Sequence, residues 1–374
     1  MKIAIFTQRM DGRATGTALY TRKLVENLIE LAPRAGDELF LVHREKSTDP
    51  IYQKAREILL PKARLPRLAY FFSEAFFLWK TRNDFDIIHY PEESIYPLFW
   101  LSHAKIIITA HSGVEGWRDF GILRRRWWLV WCTFTLFKNR ISRIICDSDS
   151  TKKSLQKFFS LREDKLRVIY LGVEKRFFEA PAKDISSEAS ARKQNFTLPY
   201  LLAFGRIDPH KNIPRIIEAY YKIQKERGIK HSLVLGSKHW PPENMKIDGL
   251  INKFGLSGKI FFLKYVTDND LPALYKGADI MIFPSLHEGF GLPILEAMAA
   301  GTPVITSNIF SMPEIAGGAA HLVNPYNVDE IAEGIRQILS DTNYREKLIS
   351  EGLRRSREFS WGKTAEETIK AYQI

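Results

Sequence analysis

Short apolar runs rich in β-branched residues recur along the chain, separated by longer stretches in which apolar positions return every three or four residues. Lys2–Phe6 reads as a buried strand, and Thr17–Leu31 carries helical spacing. Leu39–Val42, Ile87–His89, Ile106–Ile108, Ile144–Cys146 and Val168–Ile169 continue the strand series. Strands that are apolar throughout, rather than alternating, predict a parallel sheet covered on both faces by helices.

The pattern breaks between Phe178 and Pro199, a stretch of Ala, Ser and charged residues with no sustained apolar period. A second series follows: Tyr200–Phe204, Ser232–Leu235, Ile260–Leu263, Ile280–Phe283 and Val304–Thr306, with helices expected at Ile213–Lys225 and Leu271–Gly277. This predicts two doubly wound, Rossmann-like α/β domains: residues 1–180, a linker at 181–198, and residues 199–358. A terminal amphipathic helix follows over 359–374. Open parallel sheets bind ligands at the carboxyl ends of their strands, so a cleft between the domains is the expected site.

A length of 374 residues fits two cores better than one. Two cysteines, Cys132 and Cys146, make no disulfide framework and point to a reducing compartment. The opening residues run straight into a strand and do not read as a secretory leader. The longest apolar run, Trp127–Phe137, has eleven residues, whereas a spanning helix needs about 20. The net charge of +12 is lopsided: residues 1–180 hold 31 Lys and Arg against 21 Asp and Glu, and the remainder 24 against 22. Such a basic half suits an anionic partner or serves solubility alone.

The most informative segment is Phe283-Pro-Ser-Leu-His-Glu288-Gly-Phe290-Gly291-Leu292-Pro293-Ile-Leu-Glu296-Ala-Met-Ala-Ala-Gly301-Thr-Pro303. A strand ends near Pro284, the glycines allow backbone N–H groups to approach a ligand, and Pro293 suits the first turn of a helix. The free N–H groups at that helix start favour phosphate. Glu288 and Glu296 would repel phosphate charge but serve well as acceptors for sugar hydroxyls.

A second constellation, Gly205-Arg206-Ile-Asp208-Pro-His-Lys211-Asn212, sets two cations at a strand-to-helix loop, where they would neutralise a diphosphate. By itself such a loop is usually solvated surface; the neighbouring Glu-rich loop reverses that reading. Gly12-Arg-Ala-Thr15-Gly16-Thr17 follows the first strand as another anion cradle, without the full glycine fingerprint of a dinucleotide site or a Walker loop. His111 follows a strand and is expected at the same cleft.

Together these segments resemble the retaining glycosyltransferases of family 4, which have the GT-B architecture. The resemblance rests on Glu288 through Glu296, on Gly205–Asn212 and on Ser311-Met-Pro-Glu314. Weaker echoes lie in residues 15–21, 146–150, 169–173 and 359–363. Two departures stand out: Thr15-Gly16 where many relatives have paired glycines, and Leu171 where Asn is common.

The resemblance implies a nucleotide-diphosphate sugar as substrate, bound mainly by the later domain, with no resident cofactor or metal. Arg206 and Lys211 would hold the diphosphate, Glu296 the ribose, and Glu288 the hydroxyls of the transferred sugar. Backbone N–H groups of Phe290, Gly291 and Leu292 would border phosphate and sugar, with Gly16 approaching from the earlier domain. His111 would contact the sugar near the reacting carbon, and the terminal helix would cross back onto the first domain.

Asp147-Ser-Asp149 is expected to be structural. With no carboxylate placed as nucleophile, the expected route is attack on the face from which the diphosphate departs, with Arg206 and Lys211 stabilising the growing charge. The acceptor is expected to be a glycan or a lipid-linked glycan. Residues 124–137, basic and then aromatic, would contact an anionic membrane surface from the cytoplasmic side. The alternatives are another nucleotide-sugar enzyme, an epimerase or phosphorylase, and a basic nucleic-acid-binding protein; nucleic acid is not the expected partner because no recognised motif for it is present.

Overall fold

The computed structural model describes residues 1–374 apart from 11–14, 61–68, 94, 96–97, 120–126, 184–187, 190, 192, 194, 207, 237–244, 264–265 and 374. The chain forms two compact units, Met1–Gly172 with Trp361–Ile374, and Val173–Ser360.

Unit 1 is built on seven parallel strands: β1 (Lys2–Phe6), β2 (Glu38–His43), β3 (Arg56–Leu59), β4 (Ile87–Tyr90), β5 (Lys105–Ala110), β6 (Ile141–Cys146) and β7 (Leu166–Val168), in the order β3-β2-β1-β4-β5-β6-β7. The order runs outward in both directions from β1 and β4, the doubly wound pattern. Helices α1 (Gly16–Leu31), α2 (Ala69–Lys80) and α3 (Trp127–Thr135) lie among the connections. Side chains on one sheet face, including Phe6, Ile88, Ile106 and Ile144, share a core with Phe77 of α2, Phe99 and Phe134 of α3. The closing helix, Trp361–Tyr372, packs on α1 and belongs to this unit.

Unit 2 has six parallel strands, β8 (Tyr200–Phe204), β9 (Ser232–Gly236), β10 (Ile260–Leu263), β11 (Ile280–Phe283), β12 (Val304–Ser307) and β13 (His321–Val323), ordered β10-β9-β8-β11-β12-β13. Helix α4 (Ile213–Arg227) buries Ile213, Ile216, Ile217, Tyr220 and Ile223 at the spacing that the sequence predicts. Helix α5 (Leu292–Ala299) is buried on nearly every side.

The doubly wound α/β architecture holds for both units, but the boundaries differ from those expected. The first unit ends at Gly172, not 180, because the Val173 N–H bonds the Phe359 carbonyl and Phe177 packs its ring on Tyr275, 5.9 Å between centroids. The segment expected as a free linker belongs to unit 2, where Lys183 pairs with Asp279 at 2.5 Å and Lys193 with Asp270 at 2.7 Å. Strands β3 and β13 are absent from the expected series. The first is an edge strand with two charged residues, and the second is only three residues long.

Candidate functional site

Strand β8 ends at Phe204, and the next residue, Gly205, has φ +154°, a region closed to most side chains. The stem of Lys211 passes close to it; a Cβ there would meet the Lys211 side chain at 3.5 Å. A single 3₁₀ turn, Pro209–Lys211, leads to Asn212 in the left-handed conformation at φ 62°. Asn212 tolerates that conformation because its Nδ2 donates to the carbonyls of Pro284 (3.0 Å) and Pro325 (2.7 Å), which ties the loop to the chain after β11 and β13.

This anchoring delivers Lys211 onto Glu288. The ammonium donates to Glu288 Oε1 at 2.5 Å and sits 4.7 Å from the ring centre of Phe283. Both side chains are nearly buried, 14% and 13% exposed. Burial pushes the Glu288 carboxyl up, but the charges of Lys211 and then His210 outweigh it and hold the group below its ordinary range. His210 itself is driven down to about 4, chiefly by burial.

The loop after Glu288 is latched by Ser311, whose hydroxyl reaches the carbonyls of Glu288 (2.9 Å) and Phe290 (3.0 Å). Gly291 then caps α5 with φ +98°, and a Cβ there would press to 3.0 Å on Ile294. Leu292 and Pro293 open the helix, so its free N–H groups fall at the carboxyl end of β11. One turn on, Glu296 is 7% exposed and accepts from the Tyr275 hydroxyl at 3.0 Å. Phe290 is buried as a whole residue.

Lys211, Glu288, Phe290, Gly291, Leu292 and Glu296 thus gather around one loop and one helix start. Arg206 lies on the same loop and lines a small pocket together with Gly205, Lys211 and Phe283. Its side chain is 62% exposed and its Nε lies 3.2 Å from Asp208.

In unit 1, Gly16 is the first residue of α1, capped by Thr15, whose hydroxyl accepts from the Ala18 N–H. A Cβ at Gly16 would meet nothing within 4 Å, so packing gives no reason for glycine there. Residues 12–14 of the expected cradle lie outside the described residues. His111, at the end of β5, is held from several sides. Its ring nitrogen Nε2 donates to the Pro91 carbonyl at 3.0 Å, its N–H to Glu93 at 3.2 Å, and Nδ1 lies 3.7 Å from Asp147. The ring stands edge-on to Tyr20, 4.6 Å between centroids. Burial disfavours its charge, but Asp147 and Glu93 outweigh that, so its pKa is raised.

The Asp147-Ser-Asp149 triplet divides. Ser148 caps the next helix and Asp149 pairs with Lys153 at 2.6 Å, as structural residues do. Asp147 faces His111, its Oδ2 3.7 Å from Nδ1. Ser311, Asn212 and Phe283 also carry parts of the site that the sequence did not assign. Asn212 and Ser311 bond carbonyls distant in the chain and Phe283 faces the Lys211 ammonium, contacts that leave no local signal.

The description "Glycosyl transferases group 1" matches residues 186–355, and "Glycosyltransferase Family 4" matches residues 21–177. The O-antigen chain mannosyltransferase B of Escherichia coli is 30% identical over 401 aligned positions, covering 100% of both chains. The MMP alpha-(1->4)-mannosyltransferase of Mycolicibacterium hassiacum is 26% identical, covering 100% of this chain and 98% of its own. Among solved structures, Anabaena Alr3699/HepE in complex with UDP matches over 100% of both chains with a TM-score of 0.79 at 17% identity, a likeness of fold. The chain therefore belongs to glycosyltransferase family 4 and has the GT-B fold.

Proposed function

We propose that this glycosyltransferase moves a hexose, with mannose the leading candidate, from a nucleotide-diphosphate donor to a glycan or lipid-linked glycan in surface polysaccharide biosynthesis. The named mannosyltransferase relatives support the sugar and the setting. The observation that carries the chemistry is the nearly buried Lys211–Glu288 pair beside the glycine-capped start of α5. A diphosphate arriving there finds an ammonium, with Arg206 exposed on the same loop, and the N–H groups of a helix end. Glu296 takes the donor ribose and Glu288 the sugar hydroxyls once Lys211 turns to the phosphate. Gly16 and His111 serve donor and transferred sugar from unit 1.

Charge grows on the departing diphosphate oxygen, and Lys211 and Arg206 stabilise it there. That oxygen takes the acceptor's proton as the acceptor attacks the same face, so the anomeric configuration is retained. These cations supply the neutralisation that a metal ion would give elsewhere, and the proposal includes no resident metal or cofactor. We further place the enzyme on the cytoplasmic side of an anionic membrane, touching it through α3. The basic residues Arg124–Arg126 of that segment lie outside the described residues.

The test is a donor screen followed by NMR of the product's anomeric centre, in the presence of a chelator. Lys211→Met is expected to lower kcat by about 100- to 1,000-fold, the loss of one preorganised donor. Glu296→Ala should weaken nucleotide binding more than it slows turnover. A Lys211→Met enzyme as fast as wild type would refute the assignment, an inverted product would refute the mechanism, and loss of activity with chelator would refute metal independence.

A further inference from the structure

Glu296 is buried in unit 2, and a carboxylate taken out of water needs hydrogen-bond donors close by. The Tyr275 hydroxyl supplies one, donating to Glu296 Oε2 at 3.0 Å. Tyr275 stands on the short helix Leu271–Gly277 and is fully buried. Burial, and then the Glu296 charge beside it, push the hydroxyl well above its ordinary range, so it keeps the proton it donates.

Tyr275 is itself fixed at both ring and backbone. Its ring stands edge to face against Phe204, 5.8 Å between centroids, and against Phe177 at 5.9 Å. Its carbonyl accepts from the Thr302 hydroxyl at 2.6 Å and from the Ala278 N–H at 3.1 Å. One residue earlier, the Leu274 carbonyl accepts from the Tyr200 hydroxyl at 2.7 Å, which ties the short helix to β8. Thr302 lies just beyond the end of α5. Tyr275 therefore holds the α5 segment twice, by its hydroxyl at Glu296 and by its carbonyl past the helix end.

The direction of that hold matters for a ligand. Helix side chains lean toward the helix start, which for Glu296 is the glycine-capped opening of α5. An ionised carboxylate accepts at about four lone-pair sites, so a tyrosine bond at Oε2 leaves capacity for the adjacent hydroxyls of a ribose. A glutamate side chain without a fixed donor rotates among orientations that miss those hydroxyls. Holding it in one orientation before the ligand arrives removes part of the ordering cost of binding.

We propose that Tyr275 is a positioning residue for donor recognition: its hydroxyl sets Glu296 in the orientation that accepts the ribose hydroxyls, and so selects ribonucleoside over deoxyribonucleoside diphosphates. This rests on Glu296 as the ribose acceptor, the reading given above, and adds the group that makes that contact selective. Tyr275 touches no substrate and acts only through Glu296.

Calorimetric binding of GDP and UDP to the full chain tests it, each beside its 2′,3′-dideoxy analogue. Base and diphosphate are common to each pair, so the ratio of dissociation constants reads the ribose contact alone. Wild type should favour the ribose form by about 10-fold or more, the size of one hydrogen bond to a charged group. Glu296→Ala should abolish that preference. Tyr275→Phe should cut it to about 2- to 3-fold, because an unfixed carboxylate meets the hydroxyls only part of the time. The dideoxy form, which lacks the contact, should bind Tyr275→Phe as it binds wild type. A preference lost in Glu296→Ala but intact in Tyr275→Phe overturns the positioning role and leaves the ribose reading standing. No preference in wild type, or one that Glu296→Ala keeps, ends the ribose reading and this inference with it. Equal weakening of both forms by Tyr275→Phe would mean a disturbed loop, not a misaligned carboxylate, and overturns the proposal too. Glu296→Gln provides a second background, since its amide strands no buried charge and its oxygen still accepts from the tyrosine. It should keep part of the preference, and adding Tyr275→Phe should remove that part. An unchanged preference there overturns the proposal even if the single Tyr275→Phe variant does not fold.

Discussion

At the scale of single residues, the decisive feature is how neighbours set charge. Lys211 holds the Glu288 carboxyl below its ordinary range in a nearly buried place, and Asp147 with Glu93 raises the pKa of His111. Asp147→Asn is expected to lower the His111 pKa, read from the ring resonances by NMR; an unchanged titration would show that Asp147 is a bystander. The sign for stability follows. A raised histidine pKa contributes stability that is full below 6.5 and lost as pH rises through the folded value. The variant should therefore lose more stability at pH 6 than at pH 9. Glu288, Glu296 and Lys211 were legible as candidates because glycines, acids and cations cluster locally. Asp147 was not, because its partner is thirty-six positions away and only the alignment of β5 and β6 brings them together.

At the scale of elements, the loop-to-helix junctions carry the site, and their backbone geometry is demanding. Gly291 caps α5 at φ +98°, so Gly291→Ala should destabilise unit 2 by about 1–2 kcal/mol from conformation alone, with more from the contact at Ile294. Thermal unfolding would show it, and a melting temperature equal to wild type would mean the loop relaxes freely. Helix α4 and most strands were readable since their apolar patterns reflect burial directly, and α5 because Pro293 and the flanking glycines mark its ends. Strands β3 and β13 were not, because an edge strand with Arg56 and Glu57 and a three-residue strand have too little burial to leave a pattern. Arg206 shows the complementary limit: its type and spacing point to phosphate, yet its side chain is turned to Asp208.

At the scale of the whole molecule, the terminal helix belongs to the unit that begins the chain. Tyr372 is fully buried and its hydroxyl meets His89 Nδ1 at 2.7 Å, while His89 Nε2 meets Thr109 at 2.8 Å, which also contacts the Tyr20 hydroxyl at 3.0 Å. Tyr372→Phe leaves a buried ring nitrogen without its partner and should cost unit 1 about 1–3 kcal/mol. Hydrogen exchange resolved by residue would place the loss in unit 1 only; a loss confined to unit 2 would contradict the packing. By itself the sequence determined the class of the fold and the loops that bear the chemistry, since apolar period and local residue type follow from burial and backbone demands within a few residues. The tertiary structure alone decided where the units divide, that Asp147 faces His111, and that Ser311 latches the Glu288 loop. Each of these depends on side chains meeting across long stretches of chain, a distance that spacing along the sequence does not encode.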